Sequence, residues 1–128
     1  MSGRVVHFEV PFDDQDRAKT FYQEAFGWKV EEFPGMDYTI VSSGPTSDQG
    51  PTESGYINGG MAQRDAERSF RSPVIVIDVE SIEDALKKIG ELGGTTVVDK
   101  QPVGEMGFAA YFTDPEGNVM GLWETAKS

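Results

Sequence analysis

The chain has no cysteine and a single histidine among its 128 residues. Without thiols there is no disulfide, no thiolate nucleophile and no cysteine-ligated metal, and a cytoplasmic location is the expectation. Long apolar runs are also missing. None approaches the roughly 20 residues that cross a bilayer, and the opening MSGRVVHFEV enters a strand with no signal-peptide pattern. Basic residues are scarce, with 11 Lys and Arg against 22 Asp and Glu, for a net charge of −11. That charge repels phosphate backbones and anionic lipid, so neither nucleic acid nor a membrane is an expected partner. Acidity on this scale suits a high-salt interior, where screening weakens self-repulsion; ordinary solubility charge accounts for it equally well. GxGxxG, P-loop, GxSxG and HExxH motifs are absent, which leaves nucleotide-binding and serine-hydrolase readings without support.

What is there begins with the run FTDPEGNVMGLW at 112–123. Asp114, Pro115, Glu116 and Gly117 form a turn: proline presets φ, aspartate can bind nearby amides, and glycine tolerates positive φ. The flanking stretches 108–113 and 118–124 are rich in aliphatic and aromatic residues and read as one hairpin. Alternation then turns Val119, Gly121 and Trp123 to one face and Met120 and Leu122 to the other. A glycine therefore sits in the middle of a sheet face, and what fills the space above it bears on function.

Hydrophobic content of 38% over this length is enough for one domain with its own core. Residues 5–10 read as a strand, with Val6, Phe8 and Val10 on one face and Val5, His7 and Glu9 on the other. Asp13 or Asp14 caps a helix whose apolar positions Ala18, Phe21, Tyr22, Ala25 and Phe26 keep helical spacing until Gly27. Strands at 28–33, 38–42 and 56–61 follow, the last two separated by a Gly/Pro/Ser/Thr-rich loop over 43–55. After a charged connector at 63–72, the same order repeats. There is a strand at 74–79, a helix capped by Ser81 with Ile82, Ala85, Leu86, Ile89 and Leu92 on its apolar stripe, and strands at 95–99, 108–113 and 118–124. Phe12 to Ala18 has the spacing of Val79 to Ala85, which sets His7 opposite Val74. Periodicity alone thus supports two βαβββ modules, about 4–62 and 72–125, within a single domain. The expected fold is α+β: a curved mixed sheet around a cleft, with helices on the outer face.

The segment VVHFEVPFDDQDRAKTFYQEAFGWKV and the hairpin FTDPEGNVMGLWE resemble the vicinal oxygen chelate superfamily, the glyoxalase, bleomycin-resistance and extradiol-dioxygenase relatives. The resemblance runs from about residue 5 to 124 and is nearest to a glyoxalase-related group without an assigned reaction. It implies a small-molecule ligand and a homodimer. It also implies four metal-ligand positions, two per module, on the first, fourth, fifth and eighth strands. His7 matches the first; Gly59, or Gly60 with a one-residue slip, the second; Val74 the third; Gly121 the fourth. With one donor left of four, no metal of the superfamily type and no other cofactor is expected, since even catalytic sites normally keep about three protein ligands.

Glycine at former ligand positions predicts a widened cleft, or alternatively a bulge in the sheet. His7 is a candidate general base or acid near neutral pH, with Glu9 assisting, and equally a half-buried polar residue satisfied by a hydrogen bond. Asn58, Val74, Val76, Tyr111, Gly121 and Trp123 are the candidate ligand-lining residues, Trp123 by stacking; closure of the barrel end is its structural alternative. Tyr38, Tyr56 and Tyr111 are candidate oxyanion donors, or sheet packing. The loop KQPVGEMG at 100–107 has the composition of a lid, and of many loops without function. Arg64, Arg68 and Arg71 suit a carboxylate or a neighbouring subunit, and equally a solvated charge run. Three functions follow: metal-independent binding or conversion of a small carbonyl-bearing or aromatic molecule, with proton transfer by His7; sequestration of a ligand without turnover; and a metal-dependent lyase or isomerase using atypical ligands such as His7 with Glu9 or Glu124.

Overall fold

The computed structural model describes residues 3–32, 39–47, 50–64 and 72–127. They fall into two compact units, one holding 7–32, 39–47, 50–64 and 72–73, the other 3–6 and 74–127.

The N-terminal unit is built from β1 (Val5–Phe12) from His7 onward, α1 (Gln15–Phe26), β2 (Lys29–Glu32), β3 (Thr39–Ser42), β4 (Thr46–Ser47), β5 (Gly50–Pro51) and β6 (Asn58–Gln63). Its main strands run β2-β3-β6-β1, with β1 and β6 parallel and the other pairs antiparallel. Helix α1 starts where Asp14 accepts from the Arg17 amide, and it ends at Gly27, whose φ of 72° suits a residue without Cβ. Phe12, Val30, Val41 and Met61 form the buried core, joined by Phe8, Val10, Ala18, Tyr22 and Trp28. Two further members of the expected helix stripe, Phe21 and Phe26, are instead exposed. They sit in a ring cluster with Tyr22 and Trp28, whose rings stack at 4.9 Å. The loop over 43–55 holds the small β4–β5 ladder, which composition did not foretell.

The C-terminal unit carries β7 (Val74–Asp78), α2 (Ile82–Glu91), β8 (Thr95–Val103), β9 (Gly107–Thr113) and β10 (Val119–Thr125), in the order β7-β10-β9-β8. Again the first and last strands pair in parallel and the rest antiparallel. Strand order and pairing sense are thus the same in both units, an α+β arrangement with mixed sheet. Gly3 and Arg4 bond to Asp78 at 2.8 Å each way, which ties residues 3–6 to this unit. Its core joins Ile82, Ala110, Phe112 and Leu122 to Ile77, Val79, Ala85, Leu86, Ile89, Phe108 and Met120. Ile75 is exposed, because α2 covers the Ile77 and Val79 end of β7, and Leu92 is exposed as the C-cap of α2.

The expected DPEGN turn closes the β9–β10 hairpin. Asp114 Oδ1 accepts from the Glu116 and Asn118 amides, Oδ2 from Asn118 Nδ2, and Gly117 takes φ 83°. The Asn118 side chain and these backbone donors hold the Asp114 carboxyl below its usual range. Strand β8 extends four residues beyond the predicted 95–99, so the expected lid at 100–107 shrinks to a turn at 104–106. Pro102 is tolerated there because β8 is the outermost strand of its unit's order and Pro lacks only an amide donor. No helix among the described residues is long and apolar enough to cross a membrane.

Candidate functional site

In the N-terminal unit, parallel register sets His7 beside Asn58, Phe8 beside Gly59 and Glu9 beside Gly60. Phe8 packs into the core under α1. His7, Glu9, Asn58 and Gly60 therefore share the opposite face of the sheet. Gly59 lies on the core side, where a Cβ would fall 2.5 Å from the Phe8 ring. Of the two glycines considered for the second ligand position, Gly60 faces as His7 does and Gly59 does not, because one residue of register reverses the side.

His7 is half-buried, and burial lowers its pKa from the ordinary 6.5, with the charge of Glu9 acting in the other direction. The imidazole is thus neutral at neutral pH. Asn58 Nδ2 donates to Thr46 Oγ1 at 2.7 Å, which fixes the amide plane. Asn58 Oδ1 is buried and, among the described residues, has no hydrogen-bond partner. Thr46 was not anticipated as a site residue. It lies in a polar loop whose residues look alike in sequence, and only the folded loop carries it to Asn58.

In the C-terminal unit, Gly121 pairs with Val76 on one side and Tyr111 on the other, and Trp123 with Asp78 and Ala109. The space above Gly121 is filled. A Cβ there would lie 3.0 Å from Val76 Cγ2 and 3.2 Å from Tyr111 Cε1. This differs from the widened cleft expected of that glycine, because its strand neighbours lean over it. Val74 and Val76 are buried. Trp123 lies over Gly107, where a Cβ would come within 2.6 Å of Cζ2, and its indole N–H donates to Thr125 Oγ1 at 3.2 Å.

Glu124 turns to the other face. Its Oε1 accepts from the Ile82 amide at 2.8 Å, at the N-terminus of α2, and its Oε2 lies 3.2 Å from Lys100 Nζ. The Ile82 hydrogen bond, with Lys100 adding, keeps Glu124 below the usual carboxylate range. The bond to Glu124, then Glu83, holds Lys100 above its own. Glu124 thus caps the start of α2 and pairs with Lys100.

Tyr56 covers Gly44, and the Arg64 guanidinium pairs with Asp13 at 2.6 Å. Tyr38, Arg68 and Arg71 lie outside the described residues.

The residues do not fit the metal site that the family resemblance implies. In the N-terminal unit the first position keeps an imidazole and the second is glycine. In the C-terminal unit Val74 and Gly121 offer no donor, and apolar atoms stand where a carboxylate would. No group of three or more His, Asp or Glu among the described residues could hold a metal ion.

Residues 4–44 match the family model described as "Bleomycin resistance protein-like N-terminal". The chain is 28% identical over 114 residues to the "Putative glyoxylase CFP32" of Mycobacterium bovis and, equally, of Mycobacterium tuberculosis. That alignment covers 87% of this chain and 41% of theirs, so the chain spans about two fifths of the length of these curated relatives. Among solved structures, a hypothetical protein of Bacillus halodurans superposes with a TM-score of 0.66 at 18% identity, covering 100% of this chain and 98% of its own. A methylmalonyl-CoA epimerase variant of Streptomyces coelicolor, solved with 2-nitronate-propionyl-CoA, gives 0.66 at 16%, covering 99% and 100%. A methylmalonyl-CoA epimerase solved with methylmalonyl-CoA and NH4+ gives 0.64 at 14%, covering 98% and 96%. At such identities the solved structures speak for the fold alone. The bleomycin-resistance-like match and the glyoxylase relatives fit the vicinal oxygen chelate superfamily that segments near both ends resemble, and the epimerase structures share the fold.

Proposed function

We propose that the His7 face of the N-terminal unit binds a small, uncharged, carbonyl-bearing molecule and moves a proton at the carbon next to its carbonyl, without a metal. The observation that carries this reading is a half-buried imidazole, neutral at neutral pH, with Asn58 beside it in register and Glu9 two residues along the same face. A neutral imidazole can take a proton directly. The C–H electron pair becomes the enolate, His7 becomes imidazolium, and the proton returns to carbon from there, so no redox partner is needed. Glu9 favours the imidazolium that forms. The epimerases named above share the fold, which is consistent with this chemistry.

Deuterium exchange from solvent into the α-positions of a panel of thioesters and ketones, followed by NMR, tests the reading. Exchange is expected with at least one compound, unchanged by chelator and lost in His7→Ala at an unchanged melting temperature. Full exchange in His7→Ala would sink the mechanism. Exchange that stops with chelator and returns with a divalent ion would favour the metal-dependent alternative.

A second reading, ligand sequestration without turnover, is favoured by the bleomycin-resistance-like match over 4–44. It predicts saturable binding of an aromatic compound that quenches Trp123 fluorescence, damaged by Trp123→Ala and indifferent to His7→Ala. In either reading the chain works as a homodimer, which sedimentation equilibrium checks.

A further inference from the structure

Asn58 is the described residue whose chemistry is left incomplete by its own fold. Its Nδ2 is used, bound to Thr46 Oγ1 at 2.7 Å, while its buried Oδ1 accepts nothing among the described residues. Buried carbonyl oxygens in folded proteins are nearly always paired, with protein or with ordered water, because leaving one bare forfeits its hydration. A Thr46 contact that holds the amide plane keeps Oδ1 from rotating to seek another donor. The register sets Asn58, whose amide carries this acceptor, beside the chain's only imidazole.

We infer that Asn58 Oδ1 receives an O–H or N–H of an uncharged ligand lying against His7, so that the ligand carries a hydroxyl or amide hydrogen close to its carbonyl group. This inference rests on the proposed binding at the His7 face and narrows the class of molecule. An ammonium group would also donate, but a cation held between a half-buried imidazole and a buried amide gives up hydration that one amide oxygen does not restore. A ligand with acceptors only would leave Oδ1 facing another oxygen. A site built to accept a hydrogen bond favours a ligand that donates one over the analogue that cannot.

Matched small probes test it: hydroxyacetone, methoxyacetone, which is the same skeleton with the hydroxyl capped, and ethylammonium chloride. Each is titrated into isotopically labelled protein while the Asn58 side-chain amide and the His7 ring are followed by NMR. Hydroxyacetone is expected to shift both signals saturably. Methoxyacetone is expected to bind about tenfold more weakly, and ethylammonium not to saturate. Asn58→Leu, of similar volume, should bring the two ketones to equal affinity as read at His7. Thr46→Val provides a second variant that keeps Oδ1 and releases its anchor, and it should reduce the preference without abolishing it.

Equal affinity of the two ketones in the unaltered protein, or a preference that survives Asn58→Leu, would overturn the inference while leaving binding at His7 standing. Tighter binding of ethylammonium, or no shift at Asn58 with any probe, overturns it as well. A His7 ring that responds to none of them counts against the binding reading itself.

Discussion

The two units share one strand order and one pattern of pairing, yet they use the sheet face turned from the helix in opposite ways. In the C-terminal unit that face is apolar: Val76 and Tyr111 lean over Gly121, Val74 is buried, and Trp123 lies on Gly107 with its N–H already bonded. The N-terminal unit keeps polar groups in the matching place, with Asn58 beside His7, Glu9 two residues along, and one side-chain carbonyl oxygen that has no partner among the described residues. Topology sets where a site can be, and side-chain choice sets whether there is one. One topology thus carries apolar side chains on this face in one unit and polar ones in the other.

The largest effects are expected at two strand glycines, Gly59 on the core side of the N-terminal sheet and Gly121 on the outer face of the C-terminal one. In Gly59→Ala the new methyl would intrude on the Phe8 ring within the core, and a packed aromatic ring has little room to yield. The cost is expected near the top of the ~1–3 kcal/mol range for overpacking. Gly121→Ala meets Val76 and Tyr111 at 3.0 and 3.2 Å, so it should cost clearly less, about 1 kcal/mol. Urea unfolding of the two variants gives the ranking. A larger loss at Gly121 would show that the Val76 and Tyr111 side of the C-terminal sheet is packed more tightly than the Phe8 side of the N-terminal core.

A milder contrast lies at the helix starts. Each helix has a side-chain cap, Asp14 on α1 and Ser81 on α2, but α2 gains a second acceptor in Glu124. Removing either cap by alanine is expected to cost about 1 kcal/mol. Glu124→Ala should cost a similar ~1 kcal/mol, while Glu124→Gln, which keeps the oxygen that accepts from Ile82, should lose less. Equal losses in the two variants would mean that the Lys100 charge, rather than the helix end, is what Glu124 serves.

The smallest effect is one of pH. Burial holds His7 below 6.5 in the folded chain, so above that pH it is neutral in both folded and unfolded states and contributes no slope. As pH falls below 6.5 the unfolded chain takes up the proton first, and stability declines toward the folded pKa. Chemical denaturation from pH 7.5 to 5 should show this decline, and His7→Gln should flatten it. Asp114 and Glu124 are depressed below 3.8 and 4.5, so their contributions disappear only at lower pH and do not blur the window. A rise in stability on acidification through 6.5 would mean that Glu9, rather than burial, governs His7.

Both caps, the DPEGN turn and the alternation of β10 were legible because each depends on neighbours a few residues away. Asp14, Ser81 and Gly27 act within one helical turn, and Asp114 binds amides two and four residues on. The doubled βαβββ order was legible for the same reason, repeated at a fixed spacing. Composition misled at residues 100–107, where Pro and Gly suggested a loop, since pairing with β9 extends the strand through Val103. Hydrophobic spacing overstated the buried stripes, placing Phe21, Phe26 and Leu92 inside when they are exposed.

The sequence by itself determined the two βαβββ modules, their caps and turn, and the presence of His7 as the one imidazole, all through short-range spacing and composition. Only tertiary structure decided which glycine faces His7, what fills the space above Gly121, and that Thr46 holds Asn58, whose Oδ1 has no partner among the described residues. Those outcomes depend on strand register and on side chains from segments far apart in the chain, where a shift of one residue exchanges the two faces of a sheet.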